Sequence, residues 1–125
     1  MQDAKSHQKR LRITTGGLVR YKKDVISYQK ELKMQNEKLD KLVAEGGDEY
    51  TIKKNKELIQ ETIDVTENLK GKLKKQLEMV QDLVESTEVF PEVKETEQWT
   101  KTQDAVKDVE QYISCLLYTS PSPRD

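Results

Sequence analysis

Apolar residues recur at seven-residue intervals along most of this chain. Leu18, Val25, Leu32 and Leu39 form one series, and Tyr21, Tyr28, Gln35 and Leu42 form a second, offset by three. Seven of these eight positions are apolar or Tyr. Alternation of apolar and polar residues never lasts four residues here, so a strand template fails. Seven-residue recurrence instead keeps one seam of a helix turned towards a partner helix. The pattern predicts a helix over about 15–45. Thr14 or Thr15 is placed to cap its start, where a hydroxyl accepts an orphan backbone N–H. Gly46 and Gly47 are placed to end it, because Gly enters the left-handed conformation without a Cβ clash.

The same repeat resumes after the glycines. Asp48 caps a second predicted helix over about 48–86, with Glu49 favourable in its first turn. Ile52, Ile59, Thr66, Leu73 and Val80 form one series; Asn55, Thr62, Leu69, Gln76 and Leu83 form the other. Leu58, Ile63, Val65, Leu77 and Val84 flank them, a stripe wide enough for a helix with two neighbours. Gly71 falls at an outward position and marks the weakest stretch of this helix, where a local bend is expected. Phe90 and Pro91 break the pattern, and a third helix is expected over about 92–114. Its two series are Trp99, Val106 and Ile113, and Thr102, Val109 and Leu116. Short connections make neighbouring helices antiparallel. The fold class expected is therefore all-α: an up-down-up, spectrin-like three-helix bundle with coiled-coil packing over 13–114. Residues 1–12 are expected to be flexible. Residues 115–125 read as a disordered tail, whose Ser-Pro-Ser-Pro-Arg-Asp ending resembles a cloning or sequencing artefact.

Charge and composition narrow the function classes. Charged residues make up 36% of the chain, so the helices bury narrow stripes and solvate the rest. Residues 1–44 carry 11 Lys/Arg against 5 Asp/Glu, and residues 75–125 carry 5 against 11. These opposite ends either attract one another within a bundle or steer a charged partner. The one cysteine, Cys115, excludes an internal disulfide and suits a reducing compartment. With one His and one Cys there is no zinc set and no convincing nucleophile–base pair, and no phosphate-binding glycine motif occurs. No enzyme activity, cofactor or metal is expected. The basic segment Lys5, Lys9, Arg10 and Arg12 has no aromatic interleaving, so nucleic acid is not the expected partner. No apolar run is long enough to cross a membrane. The sequence reads as a cytosolic protein that works by holding another protein.

Three stretches carry a more specific signal. The first is Ile13, Thr14, Thr15 and Gly16 with Arg20, followed by Tyr28, Gln29, Lys30 and Glu31. The second runs from Ala44 through Gly46, Gly47, Tyr50 and Ile52 to Lys54. The third is Glu57, Leu58, Ile59, Gln60, Glu61 and Thr62. In this order and spacing they resemble the tubulin-binding cofactor A family over about residues 11–112. The resemblance implies a helical chaperone of the cytoplasm and microtubule cytoskeleton. Such a protein takes up quasi-native β-tubulin released by the cytosolic chaperonin. It passes the subunit towards αβ-tubulin assembly, in indirect company with the other tubulin-folding cofactors. The family often has a proline at the position matching Glu67; this chain has none, although Gly71 is near.

Within the most specific stretch, Lys53, Lys54, Glu57, Gln60 and Glu61 avoid the seam positions. They are expected to meet β-tubulin, with Tyr50 positioning the turn. The alternative is a generic coiled-coil scaffold module that uses its seam between chains and forms a homo-oligomer. The chaperone reading allows a monomer or a homodimer.

Overall fold

A computed structural model of the protein describes residues 3–118. Three α-helices make up most of it: α1 (Ala4–Ala44), α2 (Glu49–Ser86) and α3 (Glu97–Tyr118). Two short 3-10 turns, Thr87–Val89 and Pro91–Glu95, join α2 to α3. No strand occurs among the described residues, and the all-α class expected from the seven-residue pattern holds.

The helix ends differ from the sequence pattern in three places. First, α1 starts at Ala4, within the stretch 1–12 expected to be flexible. Its cap is Asp3, whose Oδ1 accepts the Ser6 N–H at 2.8 Å. That bond holds the Asp3 carboxyl below the usual range, because it favours the ionised form. Thr14 and Thr15 therefore lie inside the helix, and neither caps it. Second, α3 starts at Glu97 and not near 92, because Pro91–Glu95 forms the 3-10 turn. The Thr96 hydroxyl accepts the Trp99 N–H at 3.3 Å and donates to the Val93 carbonyl at 2.6 Å. Third, α3 continues to Tyr118, into the stretch expected as a tail; residues 119–125 lie outside the described residues.

The connection between α1 and α2 follows the expectation closely. Gly46 takes φ +72°, in the left-handed region. The Gly46 N–H donates to the Val43 carbonyl at 3.2 Å, and the Gly47 N–H to the Leu42 carbonyl at 2.9 Å. This paired pattern closes the C-terminus of a helix and satisfies two of its orphan carbonyls. Asp48 Oδ1 then accepts the Thr51 N–H at 2.6 Å and caps α2. Gly46→Ala places a Cβ on a left-handed backbone and is expected to cost about 1 kcal/mol, read as a lower urea midpoint. α2 runs unbroken through Gly71, where a Cβ would meet nothing within 4 Å.

The chain divides into two compact units. One holds α1 up to Arg20, α2 from Leu73 on, both 3-10 turns and α3. Three helices meet in it, and its core is aliphatic: Leu11, Leu18, Leu73, Leu77, Val80, Val93 and Val109 are all buried. Polar side chains inside this core pair with one another. The Thr15 and Thr102 hydroxyls lie 2.9 Å apart, and Gln98 Nε2 donates to Thr102 Oγ1 at 3.1 Å. Gln76 Nε2 donates to the Thr14 carbonyl at 2.9 Å, beside Gly17. A Cβ on Gly17 would sit 2.7 Å from that Gln76 nitrogen, so the bare backbone there makes room for the bond.

His7 belongs to this core, not to a frayed end. It is fully buried, with Nε2 2.7 Å from Thr87 Oγ1 and 3.1 Å from the Leu83 carbonyl. Thr87 itself donates its hydroxyl hydrogen to the Leu83 carbonyl at 2.8 Å. Its oxygen is then an acceptor, and the network assigns the ring hydrogen of His7 to Nε2. The ring packs on Phe90 with centroids 5.2 Å apart.

The other unit, Tyr21–Lys72, contains only α1, α2 and the turn that joins them. Val25, Ile59, Thr62 and Thr66 are its buried side chains. Leu32, Gln35, Leu39 and Leu42 on α1, with Ile52 and Asn55 on α2, are half-buried. A two-helix seam covers each side chain from one side only, which accounts for the difference.

Candidate functional site on the outer face of the second helix

At about 100° per residue, Tyr50, Lys53, Lys54, Glu57, Gln60 and Glu61 fall on one face of α2. Ile52, Asn55, Ile59 and Thr62 fall roughly opposite, by the same geometry. Burial agrees: the first six are exposed, and the second four are buried or half-buried. The spacing of the motif thus puts its seam residues against α1 and its charged residues in solvent. The six candidates form one continuous surface.

The local contacts on this face are weak and short-range. Lys54 Nζ lies 5.6 Å from the centre of the Tyr50 ring and 3.5 Å from Glu57 Oε2. Gln60 Nε2 donates to Asp64 Oδ1 at 2.9 Å. Exposed pairs of this kind contribute a few tenths of a kcal/mol (~0.3) to a helix. They leave the side chains free to exchange partners. Tyr50 does not position the turn: its ring is 70% exposed, and the turn is closed by Gly46, Gly47 and Asp48. The ring instead helps to line a shallow groove of about 550 Å³ with Glu49, Ile52, Lys53 and Lys56.

Two residues of this surface differ from the sequence reading. Leu58 and Val65, expected to widen the buried stripe, are exposed at 48% and 41%. They border the charged face beside Lys54 and Glu61 and give it an apolar margin. Their angular distance from the seam, about 100°, is the signal that separates them from Ile59 and Thr62. Among the described residues no group of three or more His, Cys, Asp or Glu side chains is arranged to hold a metal ion. No helix among them is long and apolar enough to cross a membrane.

The groove and its flanking residues form a surface of mixed charge, with one exposed aromatic residue and an apolar margin. Known proteins resemble this chain in sequence and in fold. Tubulin-specific chaperone A of Oryctolagus cuniculus is 32% identical over 99 residues, which cover 79% of this chain and 92% of the relative. The Homo sapiens protein of the same name is 31% identical over the same shares. The solved structure of human tubulin chaperone cofactor a superimposes with a TM-score of 0.70 at 28% identity, covering 83% of this chain and 98% of that one. The model of the family described as Tubulin binding cofactor A matches residues 6–106. On these grounds the chain belongs to the tubulin binding cofactor A family.

Proposed function

We propose that this protein is a tubulin-folding chaperone that captures quasi-native β-tubulin by stoichiometric binding and passes it towards αβ-tubulin assembly in the cytoplasm. It acts without nucleotide or metal, by covering a surface of its client. One observation supports this reading: in a chain of this family, Tyr50, Lys53, Lys54, Glu57, Gln60 and Glu61 lie on an exposed face of α2 that the seam does not use. Mixed charge at such a face supports fast, selective association more than raw affinity. That suits a chaperone that must also let go.

The test is a native size-exclusion experiment with freshly released β-tubulin, using α-tubulin as the control. A 1:1 complex with β-tubulin alone is the expected result; no complex with either subunit would overturn the reading. Self-association without tubulin would favour a homo-oligomeric scaffold. The paired variant Lys53→Glu/Lys54→Glu is expected to weaken capture by about tenfold with helicity unchanged. Full capture by that variant would remove the site assignment and leave the function standing.

A further inference from the structure

A second groove, in the other unit, has a different chemistry. It measures about 450 Å³ and is lined by Lys5, Gln8, Lys9, Arg12 and Gln98. No carboxylate lines it. Lys5, Lys9 and Arg12 follow one another on α1 at spacings of four and three, which puts all three on one helix face. Gln98 is the second residue of α3, so the groove also meets the positive end of that helix.

Three lysines elsewhere pair with nearby carboxylates: Lys54 with Glu57, Lys70 with Glu67 and Lys94 with Glu88. Lys5, Lys9 and Arg12 have no salt-bridge partner among the described residues. The nearest carboxylate along α1, Asp3, feels the charge of Lys5 but is held by the Ser6 N–H at the helix cap. Three cations facing one concave site, with aliphatic stems as its walls, are arranged for an anionic guest.

We propose that this groove binds a short acidic peptide segment of a partner protein, a run of about five Asp or Glu residues in extended form. The spacing suits such a guest. Four residues of helix advance about 6 Å, and alternate side chains of an extended strand lie about 6.7 Å apart. Two carboxylates of one strand face can therefore meet Lys5 and Lys9, with a third near Arg12. The charge balance separates this guest from nucleic acid. The whole chain carries a net charge of −1, and no aromatic side chain lines the groove to stack on a base.

The probe is a fluorescein-labelled hexaglutamate peptide, titrated with the full chain and read by fluorescence polarisation. Saturable binding that weakens as salt rises is expected. Lys5→Gln/Lys9→Gln/Arg12→Gln is expected to lose about tenfold in affinity. Lys30→Gln/Lys33→Gln/Lys38→Gln, which removes the same charge from the other unit, is expected to change it less than about twofold. Lys9→Gln alone gives a smaller loss in the same direction, so the result does not depend on the triple variant folding. Circular dichroism checks helicity in each. Absence of saturable binding by the unaltered chain would overturn the proposal. So would equal losses in the two triple variants, or tighter binding of an oligothymidylate of equal charge.

Discussion

Leu18→Asp is expected to destabilise the protein by about 3–5 kcal/mol. Leu18 is fully buried, and the apolar part of its unit's core is Leu11, Leu73, Leu77, Val80, Val93 and Val109. A carboxylate there loses its hydration and finds no counter-charge among those aliphatic side chains. It also displaces the leucine side chain that fills the space. Urea denaturation followed by circular dichroism reads the loss as a lower midpoint. An exposed neighbour on the same helix, Arg20, provides the comparison: Arg20→Ala should stay within about 0.5 kcal/mol. An unmoved midpoint for Leu18→Asp would mean that the helical register described here is wrong.

His7→Ala should cost about 2–3 kcal/mol. Two effects combine. The imidazole leaves a cavity against Phe90, and the Leu83 carbonyl and Thr87 hydroxyl lose the N–H that joins α1 to the end of α2. Thr87 still donates to Leu83 after the change, so the polar pair is not stranded entirely, and this caps the loss. Lys9→Ala, two residues on and exposed, should move stability by less than about 0.5 kcal/mol. If both variants unfold at the same midpoint, the first turns of α1 do not pack as described.

Much of this architecture is legible in the heptads, and the misses have physical causes. Seam positions from Leu18 to Leu83 are buried or half-buried with one exception, Tyr28, which is 40% exposed. The start of α1 is not legible in the sequence because its seam is thinly apolar. Run backwards, the same two series reach Leu11 and then His7, both fully buried, but polar residues surround them in sequence. Thr15 looked like a cap because its hydroxyl suits one; only the approach of Thr102 on α3 makes a mid-helix role visible. The 3-10 turns between α2 and α3 follow from Phe90 and Pro91 in kind but not in length, since a heptad says nothing about a segment without one. At the candidate site the face was readable and its margin was not. Leu58 and Val65 are apolar residues on a helix with a single neighbour in that unit, so the wide stripe expected of them has nothing to cover it.

The thin seam near the Gly46–Gly47 turn has a consequence for how the molecule breathes. From Ile26 to Leu58 no side chain is buried, whereas the three-helix unit contains eleven described residues at under 10% exposure, from His7 to Val109. Opening free energies follow that contrast, because a segment held by few buried contacts separates at little cost. Amide protons close to the turn should therefore exchange with solvent through local fraying of the hairpin tip. Those around Leu11, Val80 and Val109 should exchange only when their whole unit opens. The candidate face begins at this loosely held end, so its first turns can move while the protein stays folded.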